Sequence, residues 1–430
     1  MATDCDVVVV GAGLAGLSAA RQMAIHGLDV RVIEAADDVG GRVRSDYVDG
    51  FTLDRGFQLY NPAYPEAARV LDHDALDLRP LTRGMDVVRA GKRGRSVAHL
   101  GDPRSPRNWH TSALSPSTGT LAGKARFANY AVQTARLHGK QFDERPDEPA
   151  QVTLARAGID ATMIDEIIKP FLTGVFLEPH LMTSRRFMDV VLASFVKGTP
   201  SLPSRGMQAI PDQLHQALPG ETVRLRETVQ RVSQTSVHTN DGQLTSRAVV
   251  VATDALTASK LIPGASISVV GNAVTTWYHA VPKNHLDEPL SGGRSILTVD
   301  AQGRGPVINT VALSYAVPDY APEDYVLVSS SILGIETCSE AEVRDHLNYL
   351  YGTDTAGWQC IAHYAIPYAL PSMRPPVHVA APRSFGSVLV AGDHCSTASI
   401  QGAMVSGRRA ADAVLDRLGI DRPDRRRVFA

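Results

Sequence analysis

Gly11, Gly13 and Gly16 follow the apolar run Val7–Val10, and an acid, Glu34, closes a second apolar stretch from Leu28 to Ile33. Strand, tight turn, helix, strand, acid is an order that suits binding of a pyrophosphate. The first glycine permits the turn, the second lets backbone approach phosphates at the open N-terminus of a helix, and the third lets helix and strand pack closely. An acid at position 34 accepts hydrogen bonds from an adenosine ribose and disfavours a ribose carrying a 2'-phosphate, so the loop suits NAD or FAD and argues against NADP. A second group of residues with chemistry to offer stands far downstream. The apolar run Val388–Val390 leads into Ala391, Gly392 and Asp393, then His394 and Cys395, and Gln401, Gly402 and Ala403 open a helix with small residues at Ser406, Gly407, Ala410 and Ala411.

To position these residues the chain needs a parallel sheet with helices against it, an α/β arrangement. The first 80 residues have that texture, and then the texture changes. Residues 91–120 are rich in Gly, Ser, Pro and Arg and read as loop or irregular strand; residues 121–141 and 161–197 show helical spacing, with Pro170 and Pro179 as breaks. Within the second stretch Phe171, Leu172, Val175, Phe176, Phe187, Met188 and Leu192 read as core, some of them doubling as the wall of a substrate tunnel. Short strands are predicted at 223–225, 229–232 and 236–239, a hairpin turn at Asp241-Gly242, and a buried strand at Ala248–Ala252. Strands are predicted again at 273–281, 295–299, 307–315 and 325–332, and a helix at 340–351.

Composition narrows the classes. At 430 residues, 44% hydrophobic and 20% charged, the chain has room for a large core in two domains. A net charge of -2 gives no reason to expect nucleic acid. The basic clusters Lys92–Arg95 and Arg425–Arg427 read as solvated loop and tail. The apolar run from Val7 to Ala20 is too short to span a bilayer, and Asp4 and Asp6 precede it where a secretion signal needs positive charge, so a cytoplasmic protein is expected. Cys5, Cys338, Cys360 and Cys395 form no CxxC pair and no zinc spacing, which suits reduced thiols and no metal.

Six residues past Glu34 stand Gly40, Gly41 and Arg42, followed by Arg44 and by Leu53-Asp54-Arg55-Gly56. With these added to the opening loop and to Gly392-Asp393, the chain resembles the flavin amine oxidase and phytoene desaturase superfamily. Its texture at Phe171–Val175, Leu202–Ile210, Tyr320-Ala321-Pro322 and Ile366–Pro371 is closer to the desaturase branch. The resemblance covers nearly the whole chain, with specific motifs at 7–56, 204–252 and 388–411. It implies a Rossmann-like FAD-binding domain of the GR2 type made from residues 1–80, 204–255 and 385–430, with a discontinuous α+β substrate domain made from 81–203 and 256–384. It implies noncovalent FAD in a site containing Gly11, Gly13, Leu14, Ala15, Gly16, Glu34, Ala35, Gly40, Gly41, Arg42, Gly56, Val229, Gly392, Asp393, Gln401, Gly402 and Ala403. In relatives the residue matching Val229 holds the adenine through its backbone, the second glycine pair and arginine lie against pyrophosphate and flavin, and the aspartate contacts the phosphate and ribitol side. The last helix points its N-terminus at the flavin pyrimidine, where hydride arriving at N5 leaves negative charge that a positive helix end stabilises.

The substrate side is less specific. The superfamily oxidises amines, desaturates carotenoids and oxidises porphyrinogens, and many of its amine oxidases hold a water against the flavin with a lysine on a substrate-domain strand. This chain has seven lysines. Matching Gly271-Asn272-Ala273-Val274 to the start of that strand puts Thr275 where the lysine would stand, and Lys283 falls beyond the strand's end. That departure turns the expectation towards oxidation or desaturation of an apolar, carotenoid- or lipid-like small molecule, with peripheral membrane contact. An amine oxidase is one alternative, and a flavin-binding module without strong activity is another. Tyr364 and Tyr368 are candidates for aromatic walls beside the flavin or for packing residues in a sheet, and His394 for a proton relay or a satisfied loop histidine.

Overall fold

The computed structural model describes residues 3–91, 94–101, 118–137, 141–262, 264–265, 267–268, 270–377 and 383–421. The chain passes twice from one sheet to another and back. β1 (Cys5–Val10), α1 (Leu14–Ala24) and β2 (Val30–Ile33) open it, followed by the hairpin β3 (Ser45–Val48) and β4 (Phe51–Asp54) and the short helix α2 (Pro65–Val70). β5 (Leu78–Pro80) leads out to the hairpin β6 (Gly84–Gly91) and β7 (Gly94–Gly101), then to helices α3 (Leu121–Ala135), α4 (Lys169–Phe176) and α5 (Arg185–Lys197). β8 (Ser201–Pro203), paired with β5, and α6 (Ala209–Gln216) bring the chain back to β9 (Val223–Arg224), β10 (Val229–Val232), β11 (Ser236–Thr239) and β12 (Gly242–Val251). The second excursion holds β13 (Gly271–Pro282), β14 (Leu297–Asp300), β15 (Val307–Ala312), β16 (Tyr325–Leu333), α7 (Glu340–Tyr351) and β17 (Gln359–Pro371). β18 (Arg383–Phe385), β19 (Val388–Val390) and α8 (Ile400–Leu418) complete the return.

The first sheet runs β10-β11-β12-β1-β2-β9, with β19 against β12 and β18 against β19. β1 is parallel to both neighbours, with Val7 opposite Val30 on one side and Ala248 on the other. Four consecutive valines suit that position because both faces are covered. Val7 and Val9 pack towards α1 and α8, while Val8 and Val10 pack towards Ala255, Ala258 and Val390. Small residues set how close the helices come. A Cβ on Gly16 would lie 1.9 Å from the Gly11 carbonyl oxygen, and one on Gly407 would lie 2.0 Å from the Ala15 oxygen. Gly407→Ala is therefore expected to force α8 off α1 and cost about 2 kcal/mol through overpacking, read as a lower urea midpoint with unchanged slope. A wild-type midpoint would show that the two helices have room.

The second sheet runs β17-β13-β16-β15-β14-β6-β7, with β14 and β6 parallel and the other neighbours antiparallel. Alternation along β13 separates two packing layers. Tyr278 and Ala280 join the core shared with the first sheet, whereas Trp277 and Val281 pack against Val343, Leu347 and Leu350 of α7. Helix α7 begins with a reciprocal capping box between Ser339 and Glu342, which satisfies the N-terminal N–H groups and places the helix start as expected.

Several local expectations change. Residues 94–101 form a regular strand paired with β6, while 102–117 lie outside the described residues, as do Lys92, Arg93 and Arg425–Arg427. Pro170 does not break its helix. A π-helical turn, Ile164–Ile168, runs directly into α4, and Pro170 sits in the first turn of that α segment. The wider turn accommodates a residue that cannot donate an N–H. Residues 313–315 form a 3-10 turn after β15 instead of extending the strand.

Candidate functional site

Gly11 turns at φ +101°, and a Cβ there would lie 2.9 Å from the Ala252 oxygen. Gly13 is different. Its backbone is extended, no side chain caps the helix that follows, and a Cβ added to it would meet nothing within 4 Å. The N–H groups of the first turn, at Leu14, Ala15 and Gly16, have no carbonyls of their own helix to bond. The second glycine pair is folded back onto this spot. Gly40 N–H donates to the Ala12 oxygen at 2.9 Å, and a Cβ on Gly41 would lie 3.5 Å from Gly13 Cα. Both turn with positive φ, +114° and +61°.

Glu34 leaves β2 with its carboxylate already oriented. One oxygen accepts from Ala12 N–H at 2.7 Å and the other from Ala36 N–H at 2.8 Å, on either side of Ala35. Arg226 and Glu227 N–H donate to the Ala36 and Glu34 oxygens, each at 2.9 Å. Val229, two residues beyond Glu227, begins the edge strand β10.

Arg42 joins three distant segments. Its Nη2 donates to Asp393 Oδ1 and its Nη1 to the Ala369 oxygen, both at 2.7 Å, and its guanidinium lies 5.7 Å from the centre of the Tyr368 ring. Asp393 leaves β19 through Gly392, whose N–H donates to Ser406 Oγ of α8 at 3.0 Å. Ser399 caps α8 by accepting from Gly402 N–H, and Ala403 N–H donates to the Ser399 oxygen. The Gln401 side chain turns away: its Oε1 accepts from Glu66 N–H at 2.9 Å and so caps α2. What Gln401 offers to the cluster is backbone.

The residues expected on the substrate side are placed unevenly. Tyr364 hydroxyl donates to Asp46 at 2.9 Å, and Asp46 is itself held by both Nε and Nη2 of Arg55. The buried Tyr368 hydroxyl has no hydrogen-bond partner, and its ring supports Arg42. Between them Ile366 is the residue that reaches the Gly56 turn: a Cβ on Gly56, at φ +93°, would lie 2.7 Å from Ile366 Cδ1. Thr275 does not face this turn. Its hydroxyl donates to the Gly334 oxygen and accepts from Glu336 N–H, on the other layer of the sheet. Thr276 faces the turn instead, accepting from Phe57 N–H at 3.3 Å, and Lys283 donates to the Glu323 oxygen. His394 packs under the Gly392 backbone with both ring nitrogens buried and without a hydrogen-bond partner, Nδ1 lying 4.0 Å from Asp393 Oδ1, and burial lowers its pKa.

Asp54, in the Leu53-Asp54-Arg55-Gly56 segment, has a structural role. It is buried, accepting from Ser45 Oγ at 2.6 Å, Met207 N–H at 2.9 Å and, at 3.5 Å, Tyr320 hydroxyl. Its backbone oxygen accepts from Tyr278 at 2.7 Å. It thus pins β4, just before Gly56, to segments from both sheets. Burial pushes its carboxyl up to about 6, against the pull of those hydrogen bonds. A raised folded pKa means that the contribution to stability is complete below the unfolded value of about 4 and is lost as pH rises through 6. Asp54→Asn is expected to flatten the stability profile between pH 4 and 6 and to stabilise the protein at pH 7 by about 2 kcal/mol. Thermal melts across that range check it, and a variant as pH-dependent as wild type would contradict it. The signals for Asp54, Thr276 and Ile366 were weak because each depends on which face or which distant segment meets it.

Among the described residues no group of His, Cys, Asp and Glu is arranged to hold a metal, and no helix is long and apolar enough to cross a membrane. All four cysteines are free. Residues 14–415 match the family described as flavin containing amine oxidoreductase. Putrescine oxidase from Kocuria rosea is 38% identical over 148 residues, 34% of this chain and 28% of that one. Chloroplastic protoporphyrinogen oxidase from Nicotiana tabacum is 22% identical over 393 residues, 77% of this chain and 68% of that one. Among solved structures, cyclohexylamine oxidase from Brevibacterium oxydans superposes with a TM-score of 0.70 at 17% identity, covering 97% of this chain and 100% of that one. With the family match running over nearly its whole length, the chain belongs to the flavin containing amine oxidoreductase family and is an FAD-dependent oxidoreductase on a Rossmann-like α/β fold.

Proposed function

We propose that this chain binds FAD noncovalently along Gly11–Gly16, Glu34-Ala35, Gly40–Arg42, Gly56, Val229, Gly392-Asp393 and the start of α8, and oxidises a small, mainly apolar molecule by removing a hydride from one of its carbons. The observation that carries the reading is Arg42, which ties the second glycine pair, the β17 backbone and Asp393 into one cluster beside the open space at Gly13. The fit to the cofactor rests on that space. Among the described residues no packing requires a glycine at position 13, so its missing side chain leaves room for phosphates at a helix N-terminus. Residues 1–80, 204–255 and 385–430 form the cofactor side of this proposal, and 81–203 with 256–384 the substrate side.

When bound, FAD supplies the two-electron acceptor. The chain's own contribution is position: Glu34 holds the ribose end, Asp393 and Arg42 fix the middle, and Gly56 with Ile366 and Thr276 presents the face at which substrate arrives. The apolar cluster of α4 and α5, including Leu172, Phe176, Phe187 and Leu192, supports an apolar body, and Thr276 in the inward-facing position supplies no lysine. Exposed Leu121 and Val132 on α3 would make membrane contact if the substrate is lipid-like. Amine oxidation is the second reading, favoured by the 38% identity to putrescine oxidase. Anaerobic mixing of the purified, flavin-loaded protein with amines, polyenes and porphyrinogens tests both. Bleaching of the flavin by a polyene or porphyrinogen supports the first and bleaching by an amine alone the second; protein that retains no flavin contradicts both.

A further inference from the structure

On the face that the substrate-side sheet turns towards α4 and the first sheet, one row is polar across three adjacent strands, whereas the next row mixes Tyr278 and Ser329 with Val311. Thr276 of β13 pairs with Ser331 of β16, and Ser331 pairs with Asn309 of β15. Directly opposed residues in antiparallel strands share a face, so the three side chains form one continuous row. All are buried, at 0%, 2% and 3% exposure. At one end Thr276 Oγ1 lies 4.0 Å from where a Gly56 Cβ would be and accepts from Phe57 N–H. At the other end α4 lies directly over Asn309: a Cβ on Gly174 would sit 2.3 Å from Asn309 Nδ2, so any larger residue there must displace the amide.

Asn309 Oδ1 is buried and has no hydrogen-bond partner. Leaving such an acceptor unpaired costs stability that an apolar residue of similar size would avoid, and Val311, two residues along the same strand, shows that the sheet accommodates one. A cavity of about 270 Å³ adjoins this end, lined by Thr173, Ile308 and Leu333 together with the charged residues Asp165, Lys169 and Asp300. Thr173 precedes Gly174, and Leu333 lies two residues beyond Ser331, so the cavity abuts the row. The row itself carries no charge.

Resting on the hydride-transfer reading above, we propose that this row is the floor of the substrate chamber. Asn309 Oδ1 accepts a hydrogen bond from an O–H or N–H group of the substrate, which is therefore an apolar skeleton bearing a donor and not a plain hydrocarbon. Sites built to bond a substrate hydroxyl reject the analogue lacking it, because their own polar group is then left unpaired.

The test uses full-length, FAD-loaded protein titrated anaerobically with 1-octanol, n-octylamine and 1-octene, reading the shift of the bound flavin's absorbance. Wild type is expected to bind the alcohol or the amine at least about tenfold more tightly than the alkene, the worth of one hydrogen bond. Asn309→Leu is expected to reduce that preference to within about twofold without weakening the alkene, and Asn309→Asp, which keeps an acceptor, to retain it for the alcohol. Gly174→Ala, which displaces the amide, is expected to weaken the donor-bearing probes alone. Equal binding of all three probes by wild type, or full preference surviving in Asn309→Leu, overturns the role of Asn309 and leaves hydride transfer standing. If none of the three perturbs the flavin, the chamber and the hydride-transfer reading fall together. Unchanged flavin content in Asn309→Asp guards against a variant that misfolds.

Discussion

Gly13→Val is expected to yield a folded protein that has lost FAD. The backbone at Gly13 is in the extended region that valine adopts without strain, and its Cβ direction is empty for 4 Å. The apoprotein melt is therefore expected to match wild-type apoprotein, while flavin affinity falls by about a thousandfold, about 4 kcal/mol, because a branched side chain occupies the approach to the helix N-terminus. The contrast is Gly16→Val, whose Cβ would strike the Gly11 oxygen at 1.9 Å and damage the fold itself. Flavin-to-protein absorbance ratios after gel filtration, beside the apoprotein melts, separate the two. A Gly13→Val protein that keeps its flavin would mean that the cofactor does not lie on this helix.

Arg42→Met is the second large effect. Asp393 has a side chain only 7% exposed, and the arginine is its cationic partner at 2.7 Å. Removing one partner of a buried ion pair leaves an uncompensated charge and costs 3–5 kcal/mol in fully buried cases. The guanidinium is 35% exposed, so the expected loss is about 3 kcal/mol, at the lower end of that range. It should appear in both stability and flavin affinity, because Arg42 also holds the Ala369 carbonyl of β17. Pairing it with Asp393→Asn in a double-mutant cycle is informative: the double variant is expected to recover part of the loss, since no charge is then stranded. Additive losses would show that the two side chains act independently.

The glycine positions were legible from sequence because their demands are local. Gly11, Gly40 and Gly41 turn with positive φ, and Gly16 touches the strand that precedes its own helix. Glu34 follows from the same short unit, and the four-valine run declared a strand buried on both faces. Thr275 shows where such reasoning stops. In a strand a displacement of one residue exchanges the two faces, so matching the strand's start by residue type is enough to exchange Thr275 for Thr276, the one that faces the Gly56 turn. Ile366 is two residues from both Tyr364 and Tyr368, so alternation does not separate them; position along β17 makes Ile366 the one that meets Gly56. Gln401 shows a different limit, because its side chain is claimed by Glu66 N–H, 335 positions away.

By itself the chain pointed to a dinucleotide cofactor and to the loop proposed to receive it, since a tight turn, a close approach and an acid at the end of the second strand are properties of about thirty consecutive residues. Only the tertiary structure decided how Arg42, Ala369 and Asp393 meet, which threonine looks inward, and that Thr276, Ser331 and Asn309 form one polar row beneath α4. Those facts depend on strand register and on contacts between residues hundreds of positions apart, and no local pattern of residue types carries either.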